Sequence, residues 1–335
     1  MSKANNIASL LNSSGLLDSD DIATSAITAE KLNVGQVGGR RNLIINGAME
    51  VWQRGTSQSV SGSYAADRFW MANATSAARY DTDAPSGFTY STKMTYNASD
   101  MSLGQPIELT VTGKQGQFVA GSVVTLSYYA KVDTGTEDIN AAIYFRDTKF
   151  SATNQAGFSG ATTATWTTTW ARYTHSFTIP TINSTNTIAA LEIGNIGRTA
   201  YITGVQLELG DTATPFEHRS YGEELALCYR YYQTYPSSSA TTVMFTGIGL
   251  NSTSVRALAK PFGGLMRAIP AITLPTSTFI KGNGSSLAVT SVQTGFQVGA
   301  GYTFVFDAAS GVSTNHVYYI TGNTGSDALE LTAEL

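Results

Sequence analysis

The sequence predicts an all-β protein: a jelly-roll β-sandwich, then a short connector helix and a second C-terminal β-domain, all preceded by a small helical or extended N-terminal anchor. Three observations predict it. Charged residues make up only 13% of the 335, while Gly (32) and Tyr (17) are abundant and Thr and Ser are plentiful, a mix that favours strands and turns over long surface helices. Short runs alternating apolar and polar residues recur between turn signals. The period changes clearly in residues 201–232, where a strand hands over to a helix.

That joint divides the chain. Tyr201, Thr203, Val205, Leu207 and Leu209 alternate against Ile202, Gly204, Gln206 and Glu208, which predicts a strand with the first set on one face. Gly210 and Asp211 end the alternation, and Pro215 prevents a strand from running on. Ser220 with Glu223 three residues later is a capping box. Leu225, Cys228 and Tyr232 follow at helical spacing, and Pro236 stops the helix. The domains expected are an N-terminal segment at 1–39, a jelly roll at 40–219, a connector helix at 220–235 and a second β-domain at 236–335.

Residues 1–39 contain no aromatic side chain, yet Ile7, Leu10, Leu11, Leu16, Leu17, Ile22, Ile27 and Leu32 are many for a solvated linker. The segment holds too little apolar surface to fold alone, so it is expected to bury Ile7, Leu10 and Leu11 against a partner. Gly35, Gly38 and Gly39 then supply a hinge.

In the middle region, Asn46-Gly47 signals a turn. Strands are expected at 88–96, with Tyr90 and Met94 on one face, and at 121–132, with Val124, Leu126, Tyr128 and Ala130 on one face. Further strands are expected at 141–147, at 170–180 (Tyr173, His175, Phe177 and Ile179 sharing a face), at 187–194 and at 201–210. Many short strands without an amphipathic helix of about ten residues argue an antiparallel sandwich. After the linker SSSATT at 237–242 the chain again reads as strands, separated by Pro261, Pro270 and Pro275, with GNGSS at 282–286 as a hairpin turn.

Composition excludes several functions. The net charge is −4, the sequence pI is about 5.4 and no Lys/Arg run occurs, so no nucleic-acid partner is expected. One cysteine, Cys228, rules out an intrachain disulfide framework, and it reads as a small apolar residue of the connector. The apolar positions of the first twenty residues are broken by Asn, Ser and Gly, unlike a signal peptide, and no apolar stretch is long enough for a membrane helix. The chain is expected to be made in a cytoplasm, without membrane insertion.

Several passages carry a resemblance. RNLIINGAMEVWQRGTS at 41–57 with YAADRFW at 64–70 is similar to the opening of domains in bacteriophage tail-fibre and related virion proteins. GVQLELGDTATPFEHRSYGEELALCYRYYQ at 204–233 resembles the closing strand and connector of the same proteins, and its first half resembles the last strand of jelly-roll carbohydrate-binding modules. MRAIPAITL at 266–274 and ALELTAEL at 328–335 resemble the C-terminal β-region of such fibres, and SAITAEKL at 25–32 resembles segments near fibre N-termini. The resemblance implies a virion fibre subunit, a homotrimer docked through residues 1–39 on another virion structural protein, with its C-terminus displayed toward a host-surface glycan. A head fibre or decoration protein, and a glycan-cleaving tail protein, are the alternatives. A secreted bacterial binding module is a third, disfavoured by the absent signal peptide.

No catalytic residues are expected. The carboxylates Asp67, Asp81, Asp83, Glu108, Asp133, Glu137, Asp138, Asp147 and Glu192 show no spacing that singles out a hydrolytic pair. His175, His218 and His316 lack the neighbours of a metal site, and no GxSxG elbow occurs. No cofactor is expected, apart from a structural Ca2+ in the acidic turns at 81–87 or 133–140, which resembling modules often carry. Asp67–Arg68 reads either as a ligand loop or, structurally, as a buried pair beside Phe69 and Trp70; Trp52 and Trp70 read as core. Trp166, inside the Thr-rich run ATTATWTTTW, is the tryptophan expected to offer a face to sugar C–H groups. Tyr302 and Tyr319 are the distal ligand candidates; with Phe304, Phe306 and Tyr318 they read either as core or as a receptor-facing patch. Leu225, Cys228 and Tyr232 are expected to meet their symmetry copies about a threefold axis.

Overall fold

The computed structural model describes residues 41–335 except 60–61, 110–117, 148–156, 159–160, 184–185, 237–242, 260–261, 263, 276–277, 283, 299–300 and 323–327. The expected anchor residues Ile7, Leu10 and Leu11 lie outside the described residues.

Two antiparallel sheets make the sandwich. The first has the order β1 (Ser57–Gln58), β4 (Ala74–Tyr80), β5 (Ser91–Tyr96), β13 (Ala200–Leu209), β7 (Val123–Val132), β11 (Ala171–Thr178). The second has the order β10 (Thr162–Trp166), β8 (Glu137–Arg146), β12 (Ile188–Ile196), β6 (Met101–Glu108), β3 (Trp70–Ala72), β2 (Ser63–Tyr64), with β9 (Gly157–Phe158) on β8. From β6 to β8, and from β11 to β13, successive strands alternate between sheets, which is the jelly-roll winding. Period-two patterning fills the space between them. Leu126 and Tyr128 of β7 and Ile143 and Phe145 of β8 are all fully buried in one core.

β13 departs from strict alternation. Ala200 and Ile202 face the core, then Val205 and Leu207 do, because the pairing with β7 gains one residue between Thr203 and Gln206. Gly204 sits there at φ +64°, and a Cβ on it would come 2.6 Å from the Phe88 ring. The bulge turns Tyr201 and Thr203 to the outer face, against the expected pattern.

The helix α1 spans Tyr221–Tyr229. Its capping box is formed: the Glu223 amide donates to Ser220 Oγ, and the Ser220 amide donates to Glu223 Oε2 at 3.0 Å. It ends before the expected boundary, and Tyr232 lies in a strand. Aromatic residues that suit a pleated strand follow the helix, and Tyr232–Pro236 forms β14, paired with β22 (Ala328–Thr332) beside β17 (Ala271–Thr273).

The remaining strands close a six-stranded barrel: β15 (Val243–Gly249), β16 (Ser254–Ala259), β20 (Gly301–Ala308), β19 (Ser285–Val298), β18 (Thr278–Gly282) and β21 (Val317–Gly322), which returns to β15. Gly282 lies opposite Ser285, so the hairpin read from GNGSS is formed. Tyr302, Phe304, Phe306 and Tyr318 fill this barrel.

Residues 43–335 form one compact unit. A buried ionic hub ties the sandwich, the segment after α1 and the terminal strand together. Arg68, at φ +71°, pairs with Glu334, donates to the Pro106 carbonyl at 2.6 Å and stacks over Tyr231 at 3.5 Å. Arg54 pairs with Asp67 (3.0 Å) and Glu334 (3.2 Å) and covers the Tyr232 ring at 3.5 Å. Asp67 and Arg68 therefore take the structural reading, with partners remote in sequence. The last residues pack on the chain itself: besides Glu334, Arg267 Nε donates to the Ala333 carbonyl at 3.0 Å.

Candidate functional site

The outer face of the second sheet carries a groove. In register across β3, β6, β12 and β8 stand Trp70, Gly104, Glu192 and Ala142; the next row is Pro106, Ala190 and Tyr144. Alternation dictates this face, because Leu103, Leu191, Ile143 and Phe145 point the other way into the core. Small residues make the floor. At Gly104 a Cβ would come 2.6 Å from the Leu191 carbonyl oxygen, so only glycine keeps the strands in place there. Trp70, Ser102, Gly104, Pro106, Ala190 and Glu192 line a shallow depression that opens to solvent.

Aromatic rings stand on both sides of the floor. Trp70 is half-buried and is braced edge-on by Tyr64 at 5.5 Å. Tyr144, three strands away or about 14 Å at normal strand spacing, carries Arg146 over its ring at 4.3 Å. Between them Glu192 faces Arg146 at 3.5 Å. Burial, reinforced by the Glu192 carboxylate, pushes the Tyr144 hydroxyl pKa up, so Tyr144 stays a neutral donor. Indole and phenol faces stack on sugar C–H surfaces, a carboxylate accepts from sugar hydroxyls and a guanidinium donates to them. A further carboxylate on this face, Glu108, is clasped by Arg230 through Nε at 3.2 Å and Nη2 at 3.0 Å, and it is held below the ordinary carboxylate range: burial pushes up, and hydrogen bonds from Arg230 and Tyr231 together with the Arg230 and Arg267 charges outweigh it. Among the described residues, Glu192 is the carboxylate in the groove lining.

The residues expected from sequence fall elsewhere. Trp166 is fully buried: its Nε1 donates to the Tyr128 hydroxyl at 3.3 Å, and β10 folds it into the core beside Tyr173. It offers no face to a sugar. Tyr302 is buried in the barrel, its hydroxyl donating to the Met266 carbonyl at 3.3 Å. Tyr319 is 45% exposed on the barrel exterior. Cys228 and Tyr232 are buried within their own chain, and half-buried Leu225 packs against the cluster of Ile45, Val51, Cys228 and Tyr231. Trp52 is core as expected, but Trp70 is not; it stands on the outer face. His175 is buried 3.0 Å from the Tyr128 hydroxyl, while His218 and His316 are exposed. Among the described residues no three His, Cys, Asp or Glu side chains gather as a metal site needs. In the acidic turns expected to hold Ca2+, Asp83 accepts from Lys131, Asp138 accepts from Thr165 Oγ1 and Glu137 pairs with Arg198.

No family model matches the chain, and no curated protein does. The solved structures it matches include carbohydrate-binding modules and a phage tailspike domain. A CBM4 structure shares 17% identity at a TM-score of 0.32, covering 49% of this chain and 98% of that one. The CBM22-1 xylan-binding domain of Paenibacillus barcinonensis Xyn10C shares 15% identity at 0.32, covering 52% and 100%. The enzymatically active domain of bacteriophage CBA120 tailspike protein 4 shares 15% identity at 0.30, covering 50% of this chain and 21% of that one.

Tyr144, Arg146 and Ala142 alternate against Ile143 and Phe145 in the sequence, and Ala190 and Glu192 against Ala189 and Leu191. Each half-face was therefore legible in its own strand. Their juxtaposition was not, because β3, β6, β8 and β12 are non-consecutive strands brought together only by the fold.

Proposed function

We propose that this chain is a non-enzymatic, glycan-binding fibre subunit of a bacteriophage virion. The observation that carries the glycan reading is the shallow groove that Trp70, a small-residue floor and Glu192 line, with Tyr144 and Arg146 beside it on the neighbouring strand. Stacking supplies the affinity and the polar pair supplies orientation. The groove binds without cleaving, since Glu108 is committed to Arg230.

The virion assignment is supported by the passages at 41–70 and 204–233, which resemble phage fibre proteins, and by the apolar, aromatic-free residues 1–39, which suit docking on another virion protein. Assembly as a homotrimer is supported by the barrel exterior. Ile248 and Val317, each more than half exposed, face one another in register, with Tyr319 further along the same strand. Such apolar surface suits burial against copies of the chain, and three copies would bind a repetitive surface by avidity.

Binding to host-surface polysaccharide, followed by isothermal titration or affinity electrophoresis, tests the groove. Trp70→Ala and Glu192→Gln are each expected to weaken binding about tenfold or more with melting unchanged; undiminished binding by both variants would overturn the groove. Release of reducing sugar would overturn the non-enzymatic reading. A monomer by light scattering at micromolar concentration would overturn the trimer, and normal particle incorporation after deletion of residues 1–39 would overturn the anchor.

A further inference from the structure

The opposite face of the sandwich holds a second array of rings. On the outer side of the first sheet Lys93, Tyr201 and Lys131 stand directly opposite one another across β5, β13 and β7. Tyr80 extends the row on one side, its ring 4.9 Å from that of Tyr201. Trp170, just before β11, extends it on the other at 6.4 Å. Each ammonium lies beside two rings: Lys93 at 6.0 and 5.8 Å from Tyr80 and Tyr201, Lys131 at 4.9 and 5.5 Å from Tyr201 and Trp170. Three rings and two cations thus share this face, and every member is half-buried. The bulge at Gly204 creates it, because without the extra residue Tyr201 would face the core.

One end of the row already holds a carboxylate. Asp83, from the exposed loop after β4, accepts from Lys131 Nζ and from Trp170 Nε1 at 3.2 Å. At the other end no ion pair of Lys93 occurs among the described residues. We propose that this face is a second glycan site, for an acidic polysaccharide whose sugar carboxylates bind Lys93 and, by displacing Asp83, Lys131, while its rings stack on Tyr80, Tyr201 and Trp170. A carboxylate is favoured over a neutral sugar because the ammonium groups occupy the ring flanks and keep donors toward solvent. The side chain of Asp83 shows how a carboxylate sits there.

Affinity electrophoresis through polygalacturonate, alginate and hyaluronate, with β-1,4-xylan as the neutral comparison, tests this. The expected result is retardation by at least one acidic polymer, abolished in about 0.5 M NaCl and unaffected by Trp70→Ala. Lys93→Gln should weaken it roughly fivefold with unchanged melting. Asp83→Asn, which vacates Lys131 and the Trp170 N–H, should strengthen it, whereas Asp81→Asn in the same loop should not. No retardation by any acidic polymer, or retardation that Lys93→Gln leaves intact, would overturn the site. Neither outcome bears on the Trp70 groove, which is tested by its own variants.

Discussion

Arg68 and Glu334 lie 266 residues apart in the chain and meet as an ion pair with both side chains almost fully buried. Burial works against the Arg68 charge, and Glu334 together with Tyr231, Tyr64 and Cys228 outweighs it, so the guanidinium pKa is raised. Such pairs are costly to break from one side, because the survivor keeps its desolvation penalty. Glu334→Ala is therefore expected to lower stability by about 3–5 kcal/mol, read as a shift in urea midpoint. A change within error would show that water reaches Arg68.

Asp67 carries a pH signature. Burial raises its carboxyl pKa to about 6, although Arg54 and Gln53 pull it down. The folded state therefore holds this proton more tightly than the unfolded chain does. The group's contribution is fully present below its unfolded pKa near 4 and is lost as pH rises through 6. Asp67→Asn should remove that slope, so that the stability difference between variant and parent changes by about 3 kcal/mol between pH 4 and pH 7. Parallel curves for the two proteins would refute it.

Gly204→Ala should destabilise by about 1–3 kcal/mol. The residue must hold φ +64°, and its new methyl would meet Phe88. Thermal melts check the cost, and if the further site exists, the same variant should also weaken acidic-glycan binding by displacing Tyr201.

Leu225→Asp acts within one chain. Leu225 packs on Cys228, Ile45 and Val51, so the substitution should lower the melting temperature equally at all protein concentrations. A loss that appears only on dilution would restore an intersubunit role.

Cys228 is fully buried, and burial pushes its thiol pKa well above the ordinary value. It should resist an aqueous thiol reagent in the folded protein and react once urea unfolds it. Rapid labelling of the native protein would contradict this packing.

Local patterning carried much of the fold. The faces of β7 and β11, the capping box at Ser220 and the hairpin at Gly282 were readable because each depends on neighbours within a few residues. Three features were not. The Gly204 bulge shifts a face by one residue, and glycine marks many other places in the chain. Trp166 sits in a Thr-rich run whose alternate residues face solvent, which conceals that its own position points inward. Tyr232 continues a helical spacing, but its fate is decided by a strand almost 100 residues later. The groove suffers the same limit: Trp70, Tyr144 and Glu192 come from strands that only the sheet order joins.

The closed barrel has a consequence for partnership. Its six strands return on themselves, so the ring from β15 to β21 exposes no row of unpaired amides and carbonyls. Strand addition, by which many sheets capture extended peptides or propagate into fibrils, is unavailable on this surface. Whatever meets the barrel must be recognised by side chains alone, and Ile248, Val317 and Tyr319 can change from one relative to the next without disturbing the backbone bonds that hold the ring.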